Sequence, residues 1–276
     1  MKIIKNIWRI ICYPLLYLGV QFVVSLIYVF AALIGAAIGG IISRQPHDLE
    51  EFIFSGIDYK IPMIISVFAA FLIMFAILRK EWKAERLWNV KNFGPAVLFC
   101  LGLGFAMNIL TNCVINLLPI REVSSPIDDI VGNNFVIDFF IFSLAAPVLE
   151  EIIFRGVVQK RLTKMMNLHS AIILQAFIFG FIHLNFIQGT YAFVLGIIIG
   201  YIYHWFDSIW YACAIHVAFN GTSILLLYIL GDTEVNLLYL IVISAVLFLS
   251  SMATLGAFAK NIKVLPKAVG FNRWKF

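Results

Sequence analysis

Residues 147–156 read Pro-Val-Leu-Glu-Glu-Ile-Ile-Phe-Arg-Gly, two adjacent carboxylates and a guanidinium inside an apolar run. Each such charge placed unaided at the centre of a lipid bilayer costs roughly 2.5–3.5 kcal/mol. Glu150, Glu151 and Arg155 together would cancel most of the insertion free energy of a helix, so the default reading of the segment is a functional site. Glu151 and Arg155 stand at i and i+4, share a helical face and are expected to pair. Glu150 lies about 100° around the helix from Glu151, where its own segment supplies no opposite charge. Pro147 lacks the backbone donor that would reach the carbonyl of Ser143, so a bend or a loosened turn is expected there. A bent helix with a carboxylate just past the bend suggests a polar cavity; the alternative is a surface helix with an ordinary salt bridge.

Further along, Met165 to Phe206 contains no Asp, Glu, Lys or Arg. The polar groups that stand out are His183, in Phe179-Gly-Phe-Ile-His183, and His204 at a helix end. His216-Val-Ala-Phe-Asn220 follows in the next apolar run. His183 and His216 are both expected well inside helices. Counted from the same side, Glu150, His183 and His216 lie about 16, 21 and 10 Å into their spans at about 1.5 Å per residue, so the three can meet at one level. Phe179 and His183 share a face, as do His216 and Asn220, and Asn220 could hold the His216 imidazole or donate to an oxyanion. A lone buried His is more often a packing residue, and a lone Asn is usually interhelical glue. Six strongly polar groups on three apolar helices are harder to dismiss. Asp138, near the outer end of its span, is expected to snorkel and stays outside the set, as does His204.

The elements that must position these groups are membrane helices. The chain of 276 residues is 62% hydrophobic and 13% charged, with a mean hydropathy of +0.98. A soluble domain averages about 45–50% apolar and about 25% charged residues. The fold class is therefore all-α, a polytopic bundle of about eight transmembrane helices. Against a requirement of about 20 apolar residues per crossing, the spans fall at 10–42, 61–78, 93–119, 135–161, 169–187, 190–206, 209–230 and 237–259. Residues 1–134 carry N-terminal helices without a motif, 135–230 the motif-bearing core, and 231–276 a last helix and a basic tail.

An even number of spans puts both termini on one side, and sixteen of the twenty Lys and Arg residues fall there. Arg44, Lys60 and Arg121 lie opposite, and Arg155 is within a span. The asymmetry predicts cytoplasmic N- and C-termini, with the lipid bilayer as one partner. The net charge of +5 is thus a matter of topology, and no nucleic-acid partner is expected. Cys12, Cys100, Cys113 and Cys213 sit in apolar runs with no redox or zinc-finger spacing, and read as packing residues. Gly196-x-x-x-Gly200 permits close helix contact.

Glu150-Glu151-x-x-x-Arg155, Phe179-x-x-x-His183 and His216-x-x-x-Asn220, in this order, resemble the three motifs of the CPBP family of intramembrane proteases, also called the Abi or type II CAAX-protease family. The resemblance covers residues 145–222. It implies hydrolysis of a peptide bond in a membrane-associated protein or peptide, prenylated in some members. Glu150 is then the general base. His183, His216 and Asn220 fix water and stabilise the transition state, and Glu151 with Arg155 supports the site. One Glu and two His also make the ligand set of a catalytic zinc site, so Glu150, His183 and His216 are equally candidate ligands for one divalent metal. The His-Glu-x-x-His signature is absent, and a reaction without metal is the favoured reading. The rival readings are a proton-coupled transporter, opposed by the lack of an internal repeat, and a non-catalytic scaffold or bacteriocin-immunity protein.

Overall fold

A computed structural model describes residues 2–43, 60–84, 93–117, 134–230 and 236–261, and all the regular structure among them is helical. In chain order the helices are α1 (Lys2–Ser43), α2 (Lys60–Ala84), α3 (Phe93–Leu117) and α4 (135–162). There follow α5 (Leu168–Phe181), α6 (Phe186–Phe206), α7 (Ile209–Leu230) and α8 (Leu237–Asn261). The all-α expectation holds. Among the described residues four segments are long and apolar enough to cross a membrane: Ile7–Ile38, Ala96–Ile115, Phe186–Phe206 and Ile209–Leu230. Ile61–Ile77, Leu168–Phe181 and Leu238–Thr254 are apolar but shorter. The connectors 44–59, 85–92, 118–133 and 231–235, and the basic tail from 262 on, lie outside the described residues.

Two compact units divide the chain. Cys12–Arg79 forms one; Met1–Ile11 with Lys80–Phe276 forms the other and holds every candidate site residue. In that second unit α3 packs against both α7 and α8, α5 packs against α6, and α4 lies against α7. Between apolar helices in lipid the hydrophobic effect supplies little attraction, so close backbone approach and interhelical hydrogen bonds matter more. Glycine provides the approach. A Cβ on Gly104 would run into the Ile215 carbonyl and stand 2.7 Å from Ala218 Cβ; one on Gly102 would strike the Ser251 hydroxyl. A Cβ on Gly196 would come 3.0 Å from Ala176 Cβ, so α5 and α6 meet over small residues. Polar links join the same helices: Asn108 Nδ2 donates to Ser223 Oγ at 2.6 Å, and Ser244 Oγ to the Ala106 carbonyl at 2.9 Å.

Helix α4 is not uniform. Phe139–Ala145 and Phe154–Gln159 are wound as π-helix, on either side of the α-helical turns Ala146–Ile153. The Ala146 N–H reaches the Ile141 carbonyl, an i−5 bond. Pro147 follows at the start of the α-helical turns. The loosening expected at Pro147 thus takes the form of a wide turn. In this register the acceptor that faces Pro147 is the Phe142 carbonyl, not that of Ser143. π-Turns inside α-helices often mark functional sites, and here both flank the paired carboxylates.

His183 is not inside a helix. α5 ends at Phe181, short of the expected 187, and Ile182 and His183 form a turn. Leu184 then adopts a left-handed backbone with φ 54°. Asn185 caps α6, its side chain accepting from the Gln188 N–H at 2.9 Å, so α6 begins at 186, ahead of the expected 190. The left-handed residue after a helix end is usually glycine. Here it is leucine, between His183 and Asn185 in a stretch without Asp, Glu, Lys or Arg, which is why hydropathy ran the two helices' boundary too far.

Because the obstacle at Gly104 is the rigid backbone of α7, Gly104→Ala should destabilise the protein by about 1–3 kcal/mol. Gly221→Ala meets only the Phe139 ring edge at 3.2 Å and should cost less. Thermal unfolding of the two variants in detergent reads the difference.

Candidate active site

Glu151 and Arg155 pair across one turn of α4, with Arg155 Nη1 donating to Glu151 Oε1 at 2.8 Å and both side chains 0% exposed. The same carboxylate oxygen accepts a second bond at 2.7 Å from Nδ1 of His216 on α7. A carboxylate oxygen can only accept here, so Nδ1 carries the proton and the other ring nitrogen, Nε2, faces away from Glu151. It faces Glu150, whose Oε2 lies 3.8 Å from it. The two neighbouring glutamates are thereby divided. Glu151 is sealed between Arg155 and His216; Glu150 keeps 13% of its side chain exposed and is the one that solvent can reach.

Phe179 of α5 braces this arrangement. Its ring is fully buried and lies under the guanidinium of Arg155, with Cζ 4.9 Å from the ring centroid. The His216 and His183 imidazoles both stand perpendicular to it, with centroids 5.7 and 5.0 Å away. Phe154 meets it edge-on at 4.9 Å. The cation over the ring face and the rings at its edges match the charge distribution of an aromatic quadrupole. His183 Nδ1 donates to the Phe179 carbonyl at 2.8 Å, so Nε2 is the ring nitrogen outside that bond. Motif residues from α4, the α5 end and α7 thus share one neighbourhood, as the expected meeting of the three spans requires. The expected depth of His183 inside a helix was wrong, but the turn beyond Phe181 still brings its ring to Phe179.

Asn220 Nδ2 donates to the Phe142 carbonyl at 2.9 Å and so ties α7 to α4, the interhelical role usual for a lone Asn; the group that orients His216 is Glu151. Asp138 does not snorkel. It is 2% exposed and accepts from the Tyr228 hydroxyl at 2.7 Å. Two further contacts continue the Glu151–Arg155 stripe along α4: Arg155 Nη2 approaches the Gly196 carbonyl at 3.4 Å, and Gln159 Nε2 donates to the Gly200 carbonyl at 2.8 Å. The i+4 spacing from Arg155 to Gln159 carried that signal in the sequence.

Among the described residues no group of three His, Cys, Asp or Glu side chains is placed to hold one ion. Nδ1 of His216 donates to Glu151 and Nδ1 of His183 to the Phe179 carbonyl, so Nε2 is the ring nitrogen that each histidine could offer to a ligand.

Removing one partner of a buried ion pair strands the other, at about 3–5 kcal/mol, whereas apolar replacement of both is often tolerated. Arg155→Ala should therefore unfold at a much lower temperature than the parent. Glu151→Leu combined with Arg155→Met should recover most of that loss, as measured by thermal melting in detergent.

Residues 132–222 match a family model described as type II CAAX prenyl endopeptidase Rce1-like. No curated protein and no solved structure matches the chain. The matched segment runs from the start of α4 into α7 and includes all seven motif residues. With four helices able to span a bilayer, the protein is an integral membrane protein. The match, over less than half of the chain, is to the type II CAAX-protease family that the three motifs resemble.

Proposed function

We propose that the protein is a membrane-embedded endopeptidase that hydrolyses a peptide bond in a membrane-associated protein or peptide, prenylated or not, with Glu150 as general base. The observation that carries this reading is the partly exposed Glu150 carboxylate facing Nε2 of an imidazole whose other nitrogen is fixed by a buried carboxylate. Two acceptors 3.8 Å apart favour a water or a proton between them. A water hydrogen-bonded to both at about 2.8 Å fits that separation.

In the proposed reaction this water gives a proton to Glu150 as its oxygen attacks the scissile carbonyl carbon. The carbon–nitrogen bond of the tetrahedral adduct then breaks, and the proton passes from Glu150 to the departing nitrogen. The products are a carboxyl group and an amine. Glu151 keeps the His216 ring in the orientation that aims Nε2 at the water. Protonated at Nε2, His183 can donate to the developing oxyanion, its other nitrogen being anchored to the Phe179 carbonyl. Asn220 is the weaker candidate for that contact, because one amide hydrogen is already given to Phe142. Arg155 balances the charge of Glu151 and touches no substrate. In this reading no step is assigned to a metal. The Lys and Arg distribution supports cytoplasmic termini, and a substrate cut from that side.

General acid–base groups contribute about 10²–10⁴-fold. Purified protein in lipid nanodiscs, offered membrane-anchored peptides, should cleave a subset of them, and Glu150→Gln should lower kcat at least 100-fold with thermal stability unchanged. His183→Ala and His216→Ala should also lose cleavage, and a chelator should leave the parent active. Full activity in Glu150→Gln, or substrate movement across the bilayer without cleavage, would overturn the hydrolase reading.

A further inference from the structure

The wide turn before Pro147 leaves one backbone acceptor in α4 without its helical donor. In the i−5 register set by the Ala146–Ile141 bond, the next donor would be the N–H of residue 147, aimed at the Phe142 carbonyl. Proline has no N–H. Water in the hydrocarbon region of a membrane cannot substitute, so the carbonyl must be met from within the protein. It is met by Asn220 Nδ2 at 2.9 Å, from a helix 78 residues further along the chain. Beside this bond Gly221 lets the α4 wall come close: a Cβ there would lie 3.2 Å from the Phe139 ring and 3.8 Å from Ser143 Cβ.

We infer that Asn220 is a positioning residue, which fixes the register of α4 at the Pro147 break and so sets where Glu150 stands relative to His216. Pro147 and Asn220 form a complementary pair, one creating an unmet acceptor and the other meeting it across the helix interface. The geometry explains why both are needed. Glu150 is one turn beyond Pro147, and a slip of the π-turn back to α-helix would rotate the carboxylate about 100° around the axis. His216 lies one turn before Asn220 on the same face of α7, so a single bond couples the two sides of the Glu150–His216 gap.

The inference rests on Glu150 acting as base for its kinetic part, while its structural part stands alone. The experiment is a double-mutant cycle on the full chain in detergent and in nanodiscs, read by thermal melting and by cleavage of a membrane-anchored peptide that the parent cuts. Asn220→Ala should lower the melting temperature and reduce kcat about 10-fold, the effect of leaving a buried carbonyl unmet, with KM little changed. Adding Pro147→Ala supplies a backbone N–H for the Phe142 carbonyl, and the double variant should recover both stability and kcat relative to Asn220→Ala. Isosteric Asn220→Asp, which cannot donate as a carboxylate, serves the same cycle if the alanine variant does not fold, and should likewise be rescued. If Asn220 instead donates to the oxyanion, its loss costs about 10²–10³-fold in kcat and Pro147→Ala restores none of it. That outcome overturns the inference, as does a melting cycle with purely additive effects. A parent that cleaves nothing, or an active Glu150→Gln, sinks the protease reading and leaves the melting cycle to decide the tether.

Discussion

One carboxylate oxygen, Glu151 Oε1, accepts from the guanidinium of Arg155 at 2.8 Å and from the His216 imidazole at 2.7 Å, with Glu151 and Arg155 wholly shielded from solvent. Each of these groups would be prohibitive alone in an apolar helix bundle. Together they are tolerable, because the charges are matched within hydrogen-bonding distance. The arrangement has a second consequence. It ties α4 to α7 and settles which nitrogen of His216 carries the proton, so the ring's remaining nitrogen is delivered to Glu150. Adjacent residues on a helix point about 100° apart, and that angle is what allows one glutamate to be structural while its neighbour meets water.

The surrounding fold serves this contact. Phe179 fills the space under Arg155 and against both imidazoles, so neither ring can turn without displacing a buried aromatic. Gly104 lets α3 approach the very turns of α7 that carry His216, at Ile215 and Ala218. The α5–α6 corner, with its left-handed Leu184 and capping Asn185, turns His183 back toward Phe179. π-Turns before and after the paired glutamates show that α4 departs from ideal winding on either side of the candidate site. A straight α-helix would align Glu151, Arg155 and Gln159 as neatly, but the carbonyl left open by Pro147 would then be that of Ser143, not the Phe142 carbonyl that Asn220 meets.

Much of this was legible in the residues themselves. Hydropathy located the helices, 209–230 to the residue, because apolar runs bounded by polar connectors leave little ambiguity about a membrane span. The Glu151–Arg155 pair followed from i,i+4 spacing, and the convergence of α4, α5 and α7 from three sparse polar motifs. What escaped was tertiary or conformational. Nothing in the sequence announces that His216 hydrogen-bonds Glu151, 65 positions before it. His183 was placed inside a helix because a leucine, not a glycine, takes the left-handed position after Phe181. Asp138 was read as surface-seeking since its partner, the Tyr228 hydroxyl, comes from a helix 90 residues on. The π-turn after Ile153 has no proline to advertise it.

The account turns on the proton at His216 Nδ1 and on Glu151 as its reason for being there. Nitrogen-15 spectra of histidine-labelled protein in nanodiscs measure this directly, with the His216 signals among the five histidines assigned through His216→Gln. The account predicts a protonated, hydrogen-bonded Nδ1 in the parent, and loss of that state when Glu151→Leu and Arg155→Met are combined. A bare Nδ1 with the proton on Nε2, or a spectrum indifferent to the double substitution, would contradict it.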